Sequence, residues 1–364
     1  MSPRLFPILL CLAAVLLAGC GSSPSVGTTA RLGAASLPTI APPAYLPGPL
    51  DGQATPRSQA LRRPLAVMVE NYAPDSRPQS GLGAASTVIE TLAEGGVTRF
   101  MAIYLEHDAA TVGPIRSTRM YFDHWAAGFH AILAHVGGND DAQALLWRLP
   151  DVFNIDENRW EVNLYNTGTP LFWRSASRAV PHNMYTSTYK LRSYADANKQ
   201  DWSYLQAYFP HKPAAAPARR ARAGWIALQF ENPLYPQDNP DYDVRYVFDP
   251  RSDTYTRYMG GTRHVDAATG RVLAPANVIV MQTGPAVADP AAGPTPQSIL
   301  IPTLGSGTAW FFRDGTVAQG RWSQRDQNAP LRFTDRKGRA VALNPGQTWI
   351  EVVPTSSHVS WHFR

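Results

Sequence analysis

Cysteine is almost missing from this chain of 364 residues: there are two, Cys11 and Cys20, both near its start. The body of the protein therefore cannot hold a disulfide framework, a thiolate metal site or a cysteine nucleophile. Charge is sparse as well, at 17% of residues, where about 25% is usual. Long apolar runs are absent beyond Phe6–Leu17, which is shorter than the ~20 residues a membrane-spanning helix needs. There is no tandem repeat, no Gly-x-Ser-x-Gly elbow, no phosphate-loop motif and no compact zinc spacing. Those gaps remove the most recognisable hydrolase, nucleotide-binding and zinc-dependent classes.

What the chain does have begins at its first residues. Arg4 gives a short positive region, Phe6–Leu17 an uncharged apolar one, and Leu17-Ala18-Gly19-Cys20 comes next. That order suits a secretory signal. The last four residues resemble the bacterial lipobox, in which small residues lie extended in the peptidase and the thiol takes a diacylglycerol before cleavage. The alternative is an ordinary signal peptide in which Cys20 is incidental. The lipobox reading removes residues 1–19 and leaves palmitate-type acyl chains on Cys20. Each buried methylene then adds ~0.8 kcal/mol of anchoring. The chain is expected on the extracytoplasmic face of the cell membrane, within the cell envelope.

Hydrophobic residues make up 44% of the chain, and the length suggests two domains. Thirty-two prolines and 27 glycines signal many turns and some linker. The net charge of +5 either attracts anionic envelope polymers or is plain surface charge; nucleic acid is not an expected partner.

Residues 20–60, rich in Pro, Ser and Ala, read as a flexible tether. A first domain is expected over 61–210. Pro64–Asn71 and Thr98–Leu105 read as strands, Leu82–Ala93 as a helix stopped by Gly95-Gly96, and Ser117–Phe129 as a helix capped by Ser117. Ala131–Val136 reads as a strand and Ala142–Trp147 as a short helix. This alternation predicts an α/β layer. Residues 211–224 read as a linker. Over 225–356 short strands dominate, at Trp225–Phe230, Arg245–Phe248, Tyr255–Tyr258, Val278–Met281, Thr308–Phe312 and Trp349–Val353. Asp314-Gly315 marks a tight turn. The fold class is thus α+β or α/β: an N-terminal α/β layer domain, then a β-rich C-terminal domain of sandwich or barrel type. Residues 357–364 read as a tail.

Several ordered segments carry a resemblance: Arg63-Pro64 to Asn71, Arg77-Pro78-Gln79-Ser80-Gly81-Leu82, Glu94-Gly95-Gly96-Val97-Thr98-Arg99, Val112 to Arg119, Pro181-His182-Asn183-Met184-Tyr185, Tyr255 to Gly261 with His264-Val265-Asp266, and Asn344-Pro345-Gly346-Gln347-Thr348-Trp349. In these the chain resembles the YerB-type family of bacterial lipoproteins, from about Arg62 to Pro354. The resemblance implies a two-domain lipoprotein of unknown function and carries no active-site assignment.

The densest chemistry is arginine: Arg77, Arg99, Arg116, Arg119, Arg174 and Arg178. Arg116 and Arg119 share a face if a helix begins there, and amides near Ser117 at a helix N-terminus favour an anion. Guanidinium forks grip phosphate or carboxylate with two hydrogen bonds. With His182 and Asn183, these residues are the candidate ligand site for an anionic cell-wall or lipid-phosphate group. The competing reading pairs them with Glu70, Glu90, Glu94, Asp108 and Asp123 as structural bridges. Glu90 and Glu94 are spaced to share a helical face and, with His182, are the weak catalytic candidates. His124, His130 and His135 near Asp123 and Asn139-Asp140-Asp141 only loosely suggest ligands, so no metal and no cofactor is expected. Trp310, Trp322 and Trp349 read as core, with room for one to stack on a sugar.

The function expected from the sequence is a lipid-anchored envelope protein that binds an anionic component or a partner protein without catalysis. The alternative is an enzyme, a hydrolase or transferase, acting on an envelope polymer. If Cys20 carries the lipid, Cys20→Ser abolishes incorporation of labelled palmitate and moves the protein to the soluble fraction; label retained in that variant contradicts the lipobox reading.

Overall fold

The computed structural model describes residues 42–159, 161–162, 170–200, 206, 208–231, 239–288 and 299–364. The signal segment, Cys20 and the tether to residue 41 lie outside the described residues. Pro43–Arg364 forms one compact unit. Order starts at its beginning rather than near Leu61. Tyr45–Pro47 pairs with Ala54–Pro56, helix α1 covers Arg57–Ala60, and Leu50 is fully buried in the core. The Glu106 carboxylate accepts the Leu50 N–H at 2.7 Å, which ties this segment to the body.

Two sheets carry the unit, and their strands are numbered here in chain order. The first half supplies β1 Leu65–Glu70, β2 Thr87–Leu92, β3 Thr98–Tyr104, β4 Ile132–His135 and β5 Phe153–Asp156. The second supplies β6 Gly224–Gln229, β7 Val244–Asp249, β8 Thr254–Met259, β9 Thr262–Arg263, β10 Asn277–Gln282, β11 Gly305–Arg313, β12 Thr316–Gln324, β13 Arg332–Asp335, β14 Thr348–Val353 and β15 His358–Phe363. A ten-stranded mixed sheet runs β13-β12-β11-β10-β14-β2-β3-β1-β4-β5, and a five-stranded antiparallel sheet runs β9-β8-β7-β6-β15. The large sheet takes strands from both halves, because β14 lies parallel to both β10 and β2. The protein is therefore β-rich, with helices α2 Met120–Gly128, α3 Asp140–Leu146 and α4 Thr188–Ala197 set around the sheets.

Burial explains the elements. Strands β1, β2, β3 and β14 are buried at every residue. Both faces of the large sheet are covered at these strands, which removes the period-two alternation of a half-exposed strand. On one face Ala66, Met68, Met101 and Ile103 meet Phe122, Trp125 and Ala126 of α2. On the other, Val67, Val69, Phe100, Val280 and Trp349 meet Ile226, Leu228, Val244, Tyr246 and Tyr255 of the small sheet. Strands β6 and β7, with one dry face, do alternate.

Two expectations are corrected. Leu82–Ala93 is not a helix: Leu82–Ala84 is a single 3₁₀ turn and Thr87–Leu92 is β2. Thr87, Val88, Ile89 and Thr91 are β-branched and favour a strand, and burial on both faces hides the pattern. Residues 357–364 are not a tail, since β15 pairs with β6 from Gly224↔Phe363 to Gln229↔His358. The stretch 211–224 is pinned to the second half: Lys212 Nζ lies 2.8 Å from Asp314 and Arg220 Nε 3.3 Å from Asp253. The Asp314-Gly315 turn is found as expected, with φ of 55° and 65° closing the β11–β12 hairpin.

Between the two sheets lies a buried charge cluster. Arg257 of β8, Glu90 of β2 and Glu351 of β14 are each fully buried. Arg257 bonds the Glu90 carboxylate, donates from Nε to the Tyr246 hydroxyl at 3.1 Å, and lies 4.3 Å from the Trp349 ring centroid. Burial opposes the charge of Arg257, but Glu90, Tyr246 and Glu351 together outweigh it and the guanidinium pKa is raised. Burial and then the neighbouring Glu90 push Glu351 well above its ordinary 4.5, and its carboxyl accepts the Tyr246 hydroxyl. Burial and then Arg257 push His264 well below its ordinary value. Its neutral ring accepts from Arg257 and its other nitrogen donates to Gln79 Oε1 at 2.9 Å.

Removing one partner of a buried ion pair strands the other. Arg257→Ala is expected to lower stability by about 3–5 kcal/mol, read by chemical denaturation. Glu351 gives a pH signature. Above its ordinary 4.5 the unfolded chain has released this proton while the folded chain keeps it, so stability falls as pH rises toward the folded pKa. Glu351→Gln removes that downward slope; an unchanged slope would mean that Glu351 is already ionised in the fold.

Candidate functional site

Six strands of the large sheet, β10, β14, β2, β1, β4 and β5, point the same way, and only β3 runs against them among the central strands. Ligand crevices in open sheets form outside such carboxyl ends, where neighbouring strands part. Here β1 and β4 pair from Leu65↔Ile132 to Val67↔Ala134 and then separate. Residues 115–118 enter the gap. Ile115 bridges Val69, Arg116 N–H donates to Met68 O at 3.1 Å, its carbonyl accepts Val136 N–H at 3.1 Å, and Thr118 N–H donates to Gly137 O at 3.0 Å. Arg116 is therefore held by backbone at the mouth of the split, with Glu70 ending β1 beside it.

Glu70 organises the side chains at this mouth. It is 4% exposed, and one oxygen, Oε1, takes both Arg116 Nε at 2.7 Å and His182 Nδ1 at 3.0 Å. Its other oxygen is closed to solvent and meets no donor among the described residues. The His182 ring stacks on Tyr72 at 4.9 Å and 14°. The Arg116 side chain is 30% exposed. Only its Nε is engaged, so the two terminal nitrogens of its fork have no partner among the described residues. His182 Nε2 likewise makes no hydrogen bond to a described residue, and the Tyr72 ring is 44% exposed at the rim.

The other sequence candidates gather nearby but are engaged. Arg99 donates to the Ser117 carbonyl at 2.9 Å and lies 3.7 Å from Glu94; Arg119 bonds the other Glu94 oxygen. Burial resists the charge on Glu94, yet Arg99 and Arg119 outweigh it and hold its carboxyl below the ordinary value. Burial, helped by Arg119, lowers Arg99 to about 10. Arg77 donates to Asn71 Oδ1 at 2.8 Å and to the Asp241 carbonyl at 2.6 Å, and lies over Tyr242 at 4.8 Å. Exposed Arg174 donates to Asn183 Oδ1 at 2.9 Å, while Asn183 donates to the carbonyls of Ser175 and Arg178. Arg178 in turn donates to the Pro78 carbonyl at 2.7 Å. The loop from Arg174 to Asn183 is thus clamped so that His182 reaches Glu70.

Two geometric expectations fail here. Helix α2 starts at Met120 with Arg119 at its N-cap, so Ser117 does not cap it and Arg116 and Arg119 do not share a helical face. Glu90 and Glu94 do not share one either. Glu90 lies in β2 and faces Arg257, whereas Glu94 faces the arginines near α2. Of the histidines considered as loose ligands, His135 is fully buried between Gly137 O at 2.8 Å and Asn154 Oδ1 at 2.7 Å. Among the described residues no group of three or more ligating side chains could hold a metal. Sequence reasoning finds Glu70 only as a counter-charge and misses Tyr72; the signal is a carboxylate and amide, Glu70-Asn71, closing an apolar strand.

Losing the Glu94 charge leaves Arg99 and Arg119 facing each other. Glu94→Gln is expected to cost about 2 kcal/mol, less than a sealed pair because Glu94 is 22% exposed. In the parent, the lowered Glu94 pKa gives stability that is present above its ordinary 4.5 and is lost as pH falls through the folded value. That acid-side loss becomes shallower in the variant; equal profiles contradict the pairing.

Comparisons with known proteins place the chain. It is 30% identical over 346 residues to "Putative lipoprotein YerB" of Bacillus subtilis (strain 168), covering 95% of this chain and 93% of that one. The crystal structure of YerB protein from Bacillus subtilis superposes with a TM-score of 0.72 at 29% identity, covering 86% of this chain and 99% of that one. Residues 50–203 match the N-terminal domain, and residues 235–350 the C-terminal domain, of the family described as protein of unknown function DUF3048. The chain belongs to this DUF3048 family.

Proposed function

We propose that this protein is an exported lipoprotein, held by a lipid on Cys20 at the extracytoplasmic face of the cell membrane, that binds an anionic envelope component at the Arg116 crevice. The relative named as a lipoprotein and the Leu17–Cys20 motif support the anchor. No helix among the described residues is long and apolar enough to cross a membrane. The observation that carries the binding site is Arg116 and His182 hung on one oxygen of Glu70. The fork of Arg116 that remains can grip a phosphate or carboxylate in two places. Its carboxylate partner fixes the guanidinium before the ligand arrives, which lowers the ordering cost of binding.

A second reading rests on the same pair. A histidine oriented through Nδ1 by a carboxylate presents Nε2 as an acid or base, which suits a hydrolase or transferase acting on an envelope polymer. Among the weak catalytic candidates only His182 has this geometry.

Thermal unfolding of the full-length chain in detergent, with inorganic phosphate, glycerol phosphate and soluble muropeptides, tests the proposal. A ligand present at ~100 times its dissociation constant adds ~2.7 kcal/mol. That gain is expected in the parent and is expected to vanish in Arg116→Ala. Equal gains in both proteins, or none in the parent, reject the crevice. Product release that depends on His182 decides for the enzyme.

A further inference from the structure

A cavity of about 870 Å³ lies on the outer face of the five-stranded sheet, with Arg77 reaching the Asp241 carbonyl at one end of it. Its volume falls within the ~300–1,000 Å³ of small-ligand sites. Its shape comes from register. Ser360 pairs with Ala227, Ala227 with Arg245 and Arg245 with Tyr258, so these four make one row across β15, β6, β7 and β8. The two small side chains sit side by side and leave a trough. Arg245, stacked over Trp225 at 5.2 Å, and Tyr258 rise along one side. Asp241 and Asp243 wall one end, where Gly260 and Gly261 turn with φ of 55° and 75°. A Cβ on Gly260 would come within 3.1 Å of the Asp241 carbonyl, so the tight wall depends on glycine there.

The chemistry of the lining selects its occupant. Besides His358, two carboxylates and one guanidinium line the trough, so its charge does not favour an anion. Under the trough the backbones of β6 and β7 are paired on both sides, so the floor there offers only side chains; β15, which supplies Ser360, is the edge strand of the sheet. A peptide would instead add at a sheet edge. What remains is side-chain recognition: planar carboxylate and guanidinium groups to exchange hydrogen bonds with hydroxyls, and a Tyr258 ring to lie against an apolar ring face. We propose that this trough binds a neutral oligosaccharide, a short run of an extended sugar chain. It is a second site, independent of the anion crevice.

Isothermal titration of the full-length chain in detergent with chitotetraose, cellotetraose and maltotetraose tests this. At least one is expected to bind. Tyr258→Ala removes the platform, and Ser360→Trp fills the floor from a solvent-facing position. Each is expected to weaken binding at least ~10-fold, or ~1.4 kcal/mol, while Arg116→Ala leaves it unchanged. The proposal is overturned if none of the three sugars binds the parent, or if Ser360→Trp binds as tightly as the parent. If Tyr258→Ala fails to fold, Ser360→Trp alone decides.

Discussion

Arg257 sits where no water reaches, and a charge in such a place is tolerated only with its counter-charge and hydrogen-bond partners beside it. Those partners come from three strands of two sheets: Glu90 on β2, Glu351 on β14 and the Tyr246 hydroxyl on β7. The small sheet can dock on the large one only in the register that brings Arg257 to Glu90. The apolar residues around it supply the general attraction between the sheets, which is not directional. The ion pair supplies the alignment. Burial first, and the neighbouring Glu90 second, push the Glu351 carboxyl well above its ordinary value against the pull of Arg257.

The same cluster reaches the crevice. From Arg257 the bonds pass to His264, then to Gln79 at 2.9 Å, and from Gln79 to the Glu70 carbonyl and Asn71 Oδ1, both at 2.9 Å. Asn71 also accepts from Arg77 and donates to Thr98, which donates to Glu90. The backbone that carries Glu70 is therefore fixed from behind by a closed network. In front, the Glu70 carboxylate fixes Arg116 and His182. A site built this way is stiff, because each functional group is held by a partner that is itself held.

Much of this is legible in the chain, and the rest is hidden for physical reasons. Strands such as Leu65–Glu70 and Thr98–Tyr104 are readable because apolar runs of that length, bounded by turn residues, suit buried strands. Thr87–Leu92 reads as helix because it is covered on both faces, and its Leu, Ala and Glu neighbours are good helix formers. The arginine cluster is legible as residue types. Its division of labour is not, since whether Arg116 or Arg119 keeps an open fork depends on which glutamate folds against it. Arg257 lies far in sequence from Glu90, and no local pattern announces a pair made across two sheets. Sharing of the large sheet between the halves is equally silent, because the pairing of β14 with β2 is a long-range contact.

The central claim is that the shared sheet and the Arg257 cluster make Pro43–Arg364 a single cooperative unit. Differential scanning calorimetry of the full-length chain tests it most directly. One unfolding transition is predicted, with calorimetric and van't Hoff enthalpies in agreement, and Arg257→Ala is predicted to shift that single transition downward. Two separable transitions, of which only the later-half one moves in Arg257→Ala, would contradict the claim and make the halves independent.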